Sequence, residues 1–72
     1  MKSFKTWLRS FIGHPSIVGD LACDVCNDKG FPSKACSYQT IYDYLEPKDD
    51  DVIIAFLDAW SRYQMYLREV AE

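Results

Sequence analysis

From Asp50 to Val70 the chain sets Ile53, Phe56, Trp60, Tyr63, Leu67 and Val70 at three- and four-residue intervals, with Leu57 and Gln64 beside them. That spacing gathers apolar side chains on one face of an α-helix. The chain has only 72 residues, so a last helix of about 20 residues must serve as the wall against which the rest packs. Three shorter helices are expected. Phe4, Trp7, Leu8 and Phe11 fall at i, i+3, i+4 and i+7, which predicts a helix from Ser3 to Phe11 with Ser3 as its N-cap. Gly13-His14-Pro15 stops it, since Gly allows a left-handed cap and Pro disfavours helix at the residue before it. Ile17, Val18, Leu21, Ala22 and Val25 predict a second helix from Ser16 or Ile17 to Asn27. Asp28-Lys29-Gly30-Phe31-Pro32-Ser33 ends it, and Phe31, an aromatic in a polar loop, is expected to plug the core. Tyr38, Ile41, Tyr42 and Leu45 predict a third helix, capped by Ser37 and closed by Pro47.

No useful length of strand alternation is present, so the fold class is all-α: four to five short helices with a long C-terminal one. Helices of about 9, 11, 9 and 20 residues are badly matched for an up-down bundle and suit an orthogonal array better. Mass scaling gives about 4,600 Å² of folded surface against about 12,000 Å² unfolded, enough for one minimal core. A single domain spanning residues 1–72 is expected. Hydrophobic residues at 49% and aromatics at 15% argue against disorder.

Particular stretches resemble a known family. Met1-Lys2-Ser3-Phe4, the Ile17 to Ala22 stretch, Asp28-Lys29-Gly30-Phe31-Pro32, Ser37-Tyr38 with Ile41 to Leu45, and Ala55 to Trp60 with Tyr63 together resemble the YozE-like family, short acidic proteins of Gram-positive bacteria and their phages. The resemblance covers nearly the whole chain and is most specific at the Phe-Pro after helix two and the Ala-Trp of helix four. It implies a fold similar to the sterile alpha motif (SAM), a helical array ending in a long helix. The family has no established activity. Sterile alpha motif domains elsewhere mostly bind other protein domains, and some bind RNA or DNA; fold alone does not carry either function here. Cys23 and Cys26 stand where the family tends to have charge.

Charge narrows the function classes. A net charge of −3 and a pI near 4.9 disfavour nucleic-acid binding. The distribution is uneven, with Lys2, Lys5 and Arg9 giving +3 over residues 1–15 and −6 over the remainder. Lys2, Lys5 and Arg9, at i, i+3 and i+7, would form a basic ridge opposite the first apolar stripe, and Lys29 and Lys34 would join it if their loop lies nearby. Asp43, Glu46, Asp49, Asp50, Asp51 and Asp58 form an acidic counterpart, with only Lys48 among them. Three consecutive acids without the glycine and terminal Glu of an EF-hand loop fit a helix start rather than a calcium site. Basic and acidic ends permit head-to-tail self-association and equally suit docking to another protein. Tyr44, Tyr66 and Tyr38 lie off the main stripes and are either interface aromatics or half-buried with the hydroxyl in water.

The remaining chemistry is sparse. Cys23-Asp24-Val25-Cys26 is a C-x-x-C pair. Cys36 and His14 are the remaining soft ligands for a zinc site, but the spacing is not that of a knuckle. The pair sits near a helix C-terminus among Asp20, Asp24 and Asp28, the reverse of a redox-active setting. His14 sits in a turn and has no triad partner in sequence. No phosphate-binding glycine loop or nucleophile elbow occurs. No enzyme activity and no cofactor are expected. The longest apolar run, Val52 to Leu57, falls far short of the roughly 20 residues of a membrane span, no secretory signal follows Met1, and three cysteines do not make a disulfide framework. A cytoplasmic location follows as an expectation. The reading is a non-enzymatic bacterial or phage protein-interaction module using Lys2, Lys5, Arg9, Tyr44, Asp49, Asp50 and Asp51. The alternative is a DNA- or RNA-binding domain using the ridge of helix one.

Overall fold

A computed structural model describes residues 2–32, 34 and 37–71. Four α-helices follow one another: α1 Phe4–Leu8, which tightens into a 3-10 turn at Arg9–Phe11; α2 Ile17–Asn27; α3 Tyr38–Leu45; and α4 Asp50–Ala71. No strand occurs among the described residues. At 1.5 Å per residue, the 22 residues of α4 span about 33 Å, nearly the full 35 Å of the molecule's longest dimension. The accessible surface of 4,698 Å² is that of an ordinary small globule of this mass.

Local chemistry sets the boundaries. The Ser3 hydroxyl accepts from the Thr6 N–H and starts α1. The Ser16 hydroxyl does the same for Gly19 and starts α2. Asp49 Oδ1 accepts from the Asp51 N–H at 2.8 Å, so the first of the three consecutive acids is the cap of α4. Gly13 takes φ +86°, the left-handed turn that lets the chain reverse before Pro15. Ser37 differs from expectation. Its backbone is extended and its carbonyl accepts from the Ile41 N–H, but its hydroxyl caps nothing. Residues 37–40 are exposed, so water serves the free N–H groups of this helix start.

α4 packs against α1, α2 and α3, and α1 packs against α2. The centre of the core is Phe4, Leu8, Val18, Leu21, Ile41, Phe56 and Tyr63, and Phe31 plugs it from the loop as expected. Phe4 is the hub. Its ring lies 5.4–5.8 Å from those of Trp7, Phe56, Trp60 and Tyr63, edge-on to Phe56 and Tyr63, the geometry that aromatic quadrupoles favour.

The stripe of α4 is corrected in two respects. Val70 is about half exposed, because the last turn of α4 runs past the end of its partners. Ala55 and Ala59 are buried instead; an alanine carries little weight in an apolar-periodicity reading.

The N-terminal strand of chain is tied to α4. The Tyr63 hydroxyl donates to the Lys2 carbonyl at 2.7 Å, and the Lys2 N–H donates to the Tyr66 hydroxyl at 3.1 Å. Tyr66 is therefore not free at the surface: it is half-buried and stacked on Tyr63.

Candidate functional site

Ile17, Asp20, Leu21 and Asp24 fall at i, i+3, i+4 and i+7 of α2, which places them on one face. Across from them lie Asp49, the cap of α4, and Asp51, Val52, Ile54 and Ala55 of its first turns. Between these walls is an open groove of about 460 Å³. Leu21 and Ala55 are core residues that form its floor, and Ile17 and Ile54 are its lips, 46% and 58% exposed. Ile12, Tyr38, Leu57, Met65 and Val70 are also exposed, but Ile17 and Ile54 differ in lining one groove together, and apolar side chains that share a concave surface mark a contact site. A second cavity of about 240 Å³ shares Leu21, Asp24 and Val52 with the first and continues along α2 to Val25, Asp28, Leu45 and Lys48.

The rim is anionic. Asp20, Asp24, Asp49 and Asp51 are exposed, and no ion pair among the described residues reaches any of them. Asp20 and Asp24 are an i, i+4 pair of like charge, which opposes helix formation. The one cation lining the two cavities, Lys48, is engaged at the far end. There it sits 3.7 Å from Asp28 and over the Tyr44 ring at 5.0 Å from its centroid.

Asp28 closes that end of the groove. It accepts from the Tyr44 hydroxyl at 2.6 Å and from the Gly30 N–H at 3.0 Å. These bonds, the phenol first, hold its carboxyl below the ordinary 3.8, with Lys48 helping against slight desolvation. The bond to Asp28 raises the Tyr44 phenol above 10.0 in turn. Tyr44 is thus half-buried with its hydroxyl spent inside the molecule, joining α3 to the end of α2.

The expected site residues are spread over two regions. Asp49 and Asp51 line the groove; Asp50 lies between them, exposed, on the first turn of α4. Lys2, Lys5 and Arg9 line neither cavity. Lys2 precedes α1, Lys5 is half-buried, and Arg9 is in the 3-10 turn, so the ridge is not a continuous helical row. Asp20, Asp24, Ile17 and Ile54 complete the groove and were not singled out by sequence reasoning. The i, i+4, i+8 series Asp20, Asp24, Asp28 is the signal that points to them.

Cys23 and Cys26 are half-buried free thiols on α2, and Cys36 lies outside the described residues. Among the described residues, no three His, Cys, Asp or Glu side chains come together as a metal site. The His14 ring Nδ1 lies 2.9 Å from the Ser16 hydroxyl, beside the α2 cap.

The model for the YozE SAM-like fold matches residues 3–65. The chain belongs to the YozE SAM-like family. The match covers both walls of the groove; residues 1–2 and the last turns of α4 lie outside it. The YozE SAM-like description gives a fold and no activity. No curated protein and no solved structure matches the chain. No helix among the described residues is long and apolar enough to cross a membrane.

Proposed function

We propose that this YozE SAM-like protein is a non-enzymatic protein-interaction module of a bacterial or phage cytoplasm, and that it docks its partner in the groove between α2 and the start of α4. The observation carrying this reading is the pair of open isoleucines, Ile17 and Ile54, above an apolar floor and inside a ring of carboxylates. Apolar centre and charged rim are the anatomy of protein interfaces. A groove between helices is also a common site for a partner's side chains. The nucleic-acid reading has less support. Its three cations, Lys2, Lys5 and Arg9, line neither cavity, and the chain carries −3 overall, so phosphate contacts would be few and weak at physiological salt.

The test is an affinity pull-down of the tagged full chain from its host, with and without nuclease, beside an Ile17→Asp/Ile54→Asp variant and an Arg9→Glu variant. A specific protein that survives nuclease, persists on Arg9→Glu and is lost from the groove variant supports the reading. Recovery of mainly nucleic acid, with proteins vanishing on nuclease treatment, overturns it. So does a partner indifferent to the groove variant.

A further inference from the structure

We infer that the occupant of the α2–α4 groove is a cationic amphipathic helix of about three turns, supplied by another protein. This rests on the interaction-module reading and adds the chemistry of the partner.

Three features fix that chemistry. The first is charge. Asp20 and Asp24 from α2 face Asp49 and Asp51 from α4 across one groove, and no cation among the described residues pairs with any of the four. Like charges at i, i+4 repel, and two more carboxylates on the facing wall add to the negative field of the groove. A Lys- or Arg-bearing partner relieves that repulsion, and an acidic partner adds to it.

The second is the apolar centre. Ile17 and Ile54 remain open beside a floor that includes Leu21. A purely polar cationic ligand would leave this surface wet, so the partner carries its own apolar anchors.

The third is backbone chemistry. Both walls are helices, whose peptide groups beyond the first turn are bonded within the helix, and no strand edge occurs among the described residues. An extended segment laid here would find no backbone partners, whereas a helix satisfies its own. The groove and its continuation follow α2 from Ile17 to Asp28. Eleven steps of 1.5 Å give about 16 Å, or three turns.

The experiment uses the isotope-labelled full chain and three synthetic fourteen-residue peptides. One is a Leu/Lys helix with its leucines on one face. The second has the same composition, scrambled to destroy the amphipathic face. The third keeps the leucines and replaces every Lys with Glu. The expected result is that the first peptide shifts the backbone amides of Ile17, Leu21, Asp24, Val52 and Ile54. It binds at least about tenfold more tightly than the other two, a difference of about 1.4 kcal/mol.

An Asp20→Asn/Asp24→Asn variant weakens it by roughly tenfold and flattens its salt dependence. Ile54→Ser, at an exposed position that leaves folding intact, weakens it too. Equal binding of the scrambled peptide, shifts mapping to another face, or an unmoved affinity in either variant would overturn the proposal. Self-titration of the free protein, with the same amides moving as its concentration rises, would overturn it in favour of a second copy. Failure here together with a partner lost from the groove variant in the pull-down removes only the helix chemistry. Failure of the pull-down removes the docking site itself.

Discussion

At the scale of residues, Asp28 is where three stretches of chain meet: the end of α2, the Tyr44 phenol of α3 and the Lys48 ammonium beyond it. Its carboxyl is held low in the fold, so the stabilisation is present above the ordinary 3.8 and lost as pH falls through the depressed value. Tyr44 has the opposite sign. Its contribution is present below 10.0 and lost as pH rises past the elevated folded value. A Tyr44→Phe variant should therefore be less stable at pH 7, and its Asp28 carboxyl should titrate closer to 3.8 by carbon-detected NMR. The stability gap from wild type in urea melts should narrow at about pH 3. A gap independent of pH would show that the phenol acts by packing alone. Gly19 offers a steric test. A methyl group there would collide with the His14 carbonyl oxygen, which sits in a turn fixed by Pro15. Gly19→Ala should cost about 1–3 kcal/mol, read from denaturant midpoints. Neither site is legible in the sequence as an interaction. Tyr44 and Asp28 are sixteen positions apart, and Gly19 reads as an ordinary weak helix residue until the turn folds back on it.

Helix ends are the most legible level, because capping is a local chemistry. Ser3, Ser16 and the Asp49 cap sit where side-chain acceptors next to an apolar stripe place them. Asp49→Ala should destabilise the fold by about 1 kcal/mol while leaving the helical circular dichroism nearly unchanged. Ser37 shows the limit of the rule: its residue type suits a cap, but its hydroxyl makes no capping bond, and residue type alone does not fix where a hydroxyl points. The tightening of Arg9–Phe11 into a 3-10 turn is equally hidden, since three residues are too few to distinguish periods of 3.0 and 3.6. The long helix has its own device, the two tyrosines that grip Lys2. Tyr63→Phe removes the bond to the Lys2 carbonyl and should cost about 0.5–1.5 kcal/mol. Amide exchange should accelerate at residues 2–8 more than elsewhere.

Across the whole molecule, fold class and element order follow from apolar period and Gly/Pro punctuation, while the groove does not. Its walls come from segments some thirty residues apart; Ile17 sits on a stripe that reads as core, and Ile54 lies off the stripe of α4 with nothing in the sequence to bring it opposite Ile17. Only packing shows that α2 and α4 leave these two outside. The end of α4 shows the same thing in reverse, since Val70 continues a perfect period into solvent. A chain ended after Arg68 should keep its thermal midpoint within about 4 °C of the full length; a larger loss would mean the last turn is held by something other than the described core. The tie between Lys2 and the tyrosines of α4 also bears on how the protein is made. Synthesis runs at about 5–20 residues per second, so Tyr63 is added roughly 3–12 seconds after Lys2, whereas small helical domains fold in microseconds to milliseconds. Through that interval Phe4 has neither Phe56 nor Tyr63 to meet, and the first helix waits on the ribosome with its aromatic face unpaired. For this chain, translation and not the folding barrier sets the time at which the native state first exists.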